Sequence, residues 1–243
     1  MNHSKTHYDL RDAFAGDGCP ICALAQAAVD RYFATLNYEA AGDRGVRAHL
    51  RQTLGFCRPH AHQWLAAAHV LATAVIYAEV LDETLINLRA RSDRRSGPRL
   101  PSILRSRGSG SDEAATTPPR ALAPCPACVV HADSEKMLLG TLLSGFSDSA
   151  FRDAFARSPG LCLPHLRPAL AQSPDDATFT TLRDIALAHE EALLAHLQEV
   201  IRKHDYRFTE ELAGDERGAG PRAIRHLVGD TGIVPTPPFP PSR

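Results

Sequence analysis

The spacing of apolar and polar positions predicts helices along the chain and offers no run of period-two alternation from which to build a sheet. After Cys22 the stretch ALAQAAVDRYFATLNYEAA is rich in alanine and sets its larger apolar side chains at helical intervals. Residues 43–54, DRGVRAHLRQTL, begin on Asp43, whose carboxylate suits the free N–H groups of a first helical turn. From His60 the pattern predicts one long helix to about Arg91, with Trp64, Leu71, Val75, Leu81, Leu85 and Leu88 near one face. In the second half Ser147 is placed to cap SDSAFRDAFARS, which Pro159-Gly160 must break. A last helix is predicted from Thr178 to His204, with Leu187, Leu194, Leu197 and Ile201 spaced by 7, 3 and 4. The expected fold class is all-α.

The chain also matches itself at one offset. Cys19-Pro20-Ile21-Cys22 is followed, after 34 residues, by Cys57-Arg58-Pro59-His60. Cys125-Pro126-Ala127-Cys128 is followed, after 33 residues, by Cys162-Leu163-Pro164-His165. The offset is 106 residues at the first cysteine and 105 at the last histidine, and Gly55 matches Gly160 as Leu65 matches Leu170. So many coincidences at one offset read as an internal duplication. The expected organisation is a first helical repeat over 1–90, a flexible linker over 91–120, a second repeat over 121–228 and a proline-rich tail over 229–243. The linker, rich in Ser, Gly, Pro and Arg, has too little apolar material to order itself.

Composition narrows the function classes. The 243 residues are 44% hydrophobic and 23% charged with a formal net charge of −1, which supplies a core and gives no basic excess for nucleic acid. No apolar run approaches the roughly 20 residues that span a bilayer. The opening MNHSKTHYDLRDAF lacks the apolar region of a secretory signal, so the expected location is the cytoplasm. The six cysteines of a cytoplasmic chain are not a disulfide framework, and all six fall in a CxxC or a CxxH.

Three thiolates and an imidazole form a standard structural zinc set. The candidate ligands are Cys19, Cys22, Cys57 and His60 in the first repeat, and Cys125, Cys128, Cys162 and His165 in the second. Two-residue gaps let a tight turn present both ligands of a pair, and the proline in each motif stiffens that turn. All four motifs also open predicted helices, whose N-terminal dipoles favour thiolate over thiol. The geometric expectation is one site per repeat, each stapling the start of a first helix to the start of a third. Two zinc ions are expected, and an iron–sulfur cluster is the rival, since thiolates with a histidine also hold such clusters.

Other readings weaken on inspection. A thioredoxin-like CxxC needs a βαβ context, and haem attachment needs His directly after CxxC, where Ala23 and Val129 stand. His131 follows Cys128 by three residues but has only Ala25 as its counterpart, so a surface position is expected. His62 and His69 read as ordinary helix positions. His189, Glu190, Glu191 and His196 resemble acid–base material, yet a solvated helix face explains them. The segment from Lys203 to Phe208 reads as the capping and packing of a helix end. No P-loop, nucleophile elbow, dinucleotide fingerprint or HExxH is present. Four protein ligands close a site against substrate, which leans away from an enzyme.

On CPIC, GFCRPH, CPAC, GLCLPH and IRKHDYRF the chain resembles a bacterial family of uncharacterised helical proteins with duplicated CPxC and GxCxxH motifs, catalogued as a domain of unknown function. The resemblance covers about residues 15–228 and implies the same metal ligands without implying an activity. The expected function is therefore a metal-binding adaptor or regulatory module with a protein partner. The alternatives are an iron–sulfur redox protein, a metal-handling protein, and an enzyme with a cleft lined by His189, Glu190 and His196.

Overall fold

The computed structural model describes residues 4–39, 43–96, 123–212 and 214–230. Among them are ten α-helices and no strand, in agreement with the all-α expectation. They fall into two compact units, Met1–Asp30 with Val130–Arg243, and Arg31–Val129. The division cuts through two helices, α2 (Pro20–Glu39) and α6 (Pro126–Gly145).

The first unit opens with α1 (Lys5–Ala13), which Ser4 caps by accepting from the His7 N–H, and which buries His7 and Leu10. After α6 come α7 (Ser149–Ala156), α8 (Leu163–Ala171), α9 (Asp176–Lys203) and α10 (Ala219–Val228). The cap of α7 is Asp148 rather than Ser147: the Asp148 carboxylate accepts from Ala150 N–H at 2.9 Å, while the Ser147 hydroxyl donates to Ser144 O. A carboxylate is the stronger acceptor, and it takes the position. The core joins Leu10, Phe14, Leu142, Phe146, Phe151, Phe155 and Leu182. Phe14 meets Phe151 and Phe155 edge-on, with ring centres 5.0 and 5.5 Å apart.

In the second unit, α3 (Arg44–Thr53) is capped as expected, Asp43 accepting from Gly45 N–H at 2.7 Å and Val46 N–H at 3.2 Å. The long helix expected after His60 is two helices, α4 (Arg58–Ala67) and α5 (Val70–Ser96). Asn37 divides them. Its amide donates to Ala67 O at 2.9 Å and accepts from His69 N–H at 2.8 Å, replacing helical bonds at the break. The break also changes which face is inside. Trp64, Ala72, Ile76 and Val80 are buried, whereas Leu71, Leu81, Leu85 and Leu88 of the expected stripe face outward. On α9 likewise Leu182 is buried, but Leu187, Leu194 and Ile201 are exposed. Glu79 of α5 ties down α3 by pairing with Arg47 at 2.8 Å and with Arg51.

At the end of α9 the capping and packing account of Lys203–Phe208 holds only in part, since Tyr206 is exposed. Lys203 pairs with Glu216 at 2.8 Å, and Arg202 lies 4.7 Å over the Phe208 ring. Helix α5 runs to Ser96. Residues 97–120 of the expected linker and 231–243 of the expected tail lie outside the described residues.

Candidate metal centres

Each motif occupies the same place in its helix. Cys19 and Cys125 precede Pro20 and Pro126, and their carbonyls accept the first helical bonds, from Ala23 and Val129 N–H, both at 3.1 Å. Cys57 and Cys162 are the N-caps of α4 and α8, with extended backbones and a proline at the second helical position. A spacing of three therefore sets the second ligand, Cys or His, one turn on at the same helix end. The N–H groups of that first turn carry partial positive charge beside the sulfurs.

Two groups of four side chains result, and in each the ligand atoms all lie within 4.8 Å of one another. The first is Cys19, Cys22, Cys162 and His165; the second is Cys57, His60, Cys125 and Cys128. The eight residues singled out from the sequence are thus all brought together. Their grouping overturns the expectation of one site per repeat. Each group takes its CxxC from one half of the chain and its CxxH from the other, joining the starts of α2 and α8, or of α6 and α4. The hydrophobic core supplies the reason. Ile21 and Ala25 of α2 pack in one cluster with Leu161 and Leu166 from the approach to α8 and its first turn, and the four ligands follow.

In the first group Cys22 Sγ is 3.6 Å from Cys162 Sγ. His165 Nδ1 is 3.4 Å from both Cys19 Sγ and Cys22 Sγ and 3.1 Å from Cys162 Sγ. All four residues are buried. The other nitrogen, His165 Nε2, is 2.8 Å from the Glu135 carboxylate on α6. A carboxylate on the far nitrogen fixes the tautomer and the ring orientation, leaving Nδ1 as the donor atom. The Asp230 backbone N–H donates to Cys22 Sγ at 3.5 Å, so the chain after α10 lies against this group. Nothing in the spacing of the motifs points to Glu135 or Asp230.

The second group is more open, with Cys125 buried and the other three partly so. Cys57 Sγ is 3.5 Å from Cys128 Sγ. His60 Nδ1 lies 3.2 Å from Cys57, 3.3 Å from Cys128 and 3.8 Å from Cys125. The His60 ring meets Phe33 edge-on, and Phe33 in turn packs on Phe56 and Trp64.

The thiols share protons unequally. Hydrogen bonds from Cys162 and Cys22 hold Cys19 far below the usual thiol range against the effect of burial, while Cys162, Cys19 and burial hold Cys22 far above it. Burial lowers His165, but the contacts with Cys162 and Cys19 outweigh it and raise the imidazole to about 10. In the second group burial opposes ionisation of Cys125, yet hydrogen bonds from His60 and nearby backbone bring it down to about 6. Burial, followed by contact with Cys57, pushes Cys128 up to about 12. Each group is a pool of soft donors around a few shared protons, which a metal ion displaces on binding.

Of the side residues, His131 stays outside both groups with Nδ1 3.5 Å from Glu135. His189 and His196 are not on a bare solvated face: both line a cavity in the first unit, and Glu190 contacts His226 at 3.3 Å.

The profile of a family of unknown function (DUF6062) matches residues 1–233 of the chain. A curated protein from Caldicellulosiruptor sp. (strain Rt8B.4), described as an uncharacterized 23.9 kDa protein in the xynA 3' region, is 25% identical over 218 residues. That match covers 89% of this chain and 97% of the relative. No solved structure matches.

Proposed function

The chain belongs to a family of unknown function, DUF6062, so its role must come from its own chemistry, and we propose that the two Cys/His groups are structural zinc centres of a binding or regulatory module. The observation that carries this reading is the completeness of both sets, three sulfurs and one Nδ1 mutually within 4.8 Å. Zinc bonds of about 2.3 Å to sulfur and 2.0–2.1 Å to nitrogen give tetrahedral edges of roughly 3.5–3.8 Å. The ligand atoms in direct contact lie 3.1–3.8 Å apart, and all others of each group within 4.8 Å, which supports one ion per group. An iron–sulfur cluster would interpose several atoms and hold its ligands farther apart.

Four protein ligands leave no open coordination position, which favours stabilisation over catalysis. The clips are long: Cys22 and His165 are 143 residues apart, and Cys57 and Cys128 are 71. Closing long loops removes entropy from the unfolded chain, and metal binding adds directly to folding. Leu81, Leu85 and Leu88, exposed on α5, support a binding role, because partners commonly cover such surfaces. Among the described residues no helix is long and apolar enough to cross a membrane, and a cytoplasmic location fits the reduced thiols this chemistry needs.

Elemental analysis of anaerobically purified protein, with its visible spectrum, tests the reading. The expected result is one zinc for each of the two groups in a colourless solution, with loss of helical signal on chelation. Iron with acid-labile sulfide would overturn it.

A further inference from the structure

Beside the first cysteine group, within the first unit, is a cavity of about 580 Å³. That is within the range of sites that enclose small organic ligands. Its wall is built by two helices: α9 contributes His189 and His196, and α10 contributes Arg222, Arg225 and His226.

The wall is organised. His189 Nε2 meets Ala156 O at 3.2 Å, which makes Nε2 the donor and leaves Nδ1 as an acceptor. That Nδ1 stands so close to Gly160 that a Cβ there would lie 2.5 Å away. His226 Nε2 is held by Glu190 at 3.3 Å. Arg222 reaches His196 Nδ1 at 3.5 Å, the Asp215 backbone carbonyl at 2.7 Å and the Asp215 carboxylate at 3.4 Å. The Asp215 side chain is 75% exposed, so solvent screens its hold on Arg222. Arg225 has no ion pair among the described residues. Gly218 and Pro221, at the start of α10, also border the space, and the N-cap Gly218 offers no side-chain capping bond. The free N–H groups of that turn add partial positive charge to the same wall. Asp17, Asp215 and Asp230 also line the cavity, and Ala192 and Leu193 offer it apolar surface.

We propose that this cavity binds a small organic anion, with a phosphate or carboxylate group held by Arg222 and Arg225 of α10 and the body of the molecule over Ala192 and Leu193. A guanidinium fork matches both oxyanions. The three imidazoles give further polar contacts at fixed places. The site is distinct from metal ligation, although Cys19 and Cys162 form part of the cavity's boundary.

The test is calorimetric titration of the full chain, its metal content measured on the same sample, with inorganic phosphate, ribose 5-phosphate and succinate at matched ionic strength. Imidazole NMR signals of His189, His196 and His226 provide a second readout. Saturable binding that shifts those signals, and that weakens about tenfold or more in Arg225→Gln and in Arg222→Gln, is expected. Response to the phosphates alone, or to succinate alone, supports the proposal and tells which oxyanion is held. Arg225→Gln breaks no ion pair among the described residues, so it decides the matter even where Arg222→Gln fails to fold. No saturable binding of any of the three, or equal binding by wild type and Arg225→Gln, overturns the proposal. Since metal content is read separately, failure here is distinguishable from failure of the zinc assignment.

Discussion

The sulfur of Cys22 lies 3.6 Å from that of Cys162, across 140 residues of chain. Cys57, which follows Cys22 within the same half, stands in the other group. The pairing therefore crosses between halves and predicts a non-additive pattern of metal loss. Cys22→Ser and Cys162→Ser should each remove one zinc, and the double variant should still hold one. Cys22→Ser with Cys57→Ser should hold none. Zinc measured after gel filtration decides it: a Cys22→Ser, Cys57→Ser protein retaining one zinc would restore one site per half and refute the exchanged arrangement.

If the first group holds zinc as proposed, Glu135 acts on it through His165. Its carboxylate lies 2.8 Å from Nε2, the nitrogen turned away from the sulfurs. Glu135→Gln keeps the side chain's size and removes its charge, so the imidazole becomes a weaker and less firmly oriented ligand. Removal of such a partner lowers metal affinity by about 10–100-fold. Competition against a coloured chelator should show one weakened zinc and one unchanged, because the second group does not contain His165. Equal release rates for wild type and variant would show that Glu135 does not orient the ligand.

The candidate ligands were legible because CxxC and CxxH are complete local signals, each needing only one helix start. The pairing was not, because four helix starts with equivalent ligands can be joined in more than one way. Burial of Ile21 with Leu161 and Leu166 makes the choice, and such a contact leaves no mark on spacing. The Asp43 cap was readable for the same local reason. The break after Ala67 was not, because its cause is Asn37, 30 residues earlier. With that break unseen, the apolar positions of α5 allowed a Leu71, Leu81, Leu85 and Leu88 stripe, where Ala72, Ile76 and Val80 are the ones buried. The histidines of α9 read as part of a solvated face because α10, which places Arg222 and His226 against the same cavity, was not anticipated.

Asn37 is the side chain that separates α4 from α5. Replacing it with Ala removes a donor to Ala67 O and an acceptor from His69 N–H. Each such bond contributes about 1 kcal/mol net, so Asn37→Ala should destabilise by about 1–3 kcal/mol. Urea unfolding should give a lower midpoint with the slope unchanged. Asn37→Asp should restore only part of this loss, since it keeps an acceptor for His69 N–H but no donor for Ala67 O. A full recovery by Asp would assign the stabilisation to His69 alone.

Two glycines should respond to alanine with opposite signs. Gly160, two residues before the N-cap Cys162, has φ +78, and a Cβ there would sit 2.5 Å from His189 Nδ1. The backbone conformation disfavours an L side chain, and the ring must move to make room, so Gly160→Ala should cost about 1–3 kcal/mol. Moving the ring also breaks its contact with Ala156 O, which shifts the His189 NMR signals. Gly140 lies in the interior of α6, and no atom outside its own helix backbone lies within 4 Å of a Cβ added there. Gly140→Ala removes unfolded-state freedom without a clash and should stabilise by about 0.5–1 kcal/mol. Thermal or urea unfolding of the two variants beside wild type reads both signs. A neutral Gly160→Ala with unmoved His189 signals would mean that the close approach of Gly160 to the cavity wall does not constrain the imidazole.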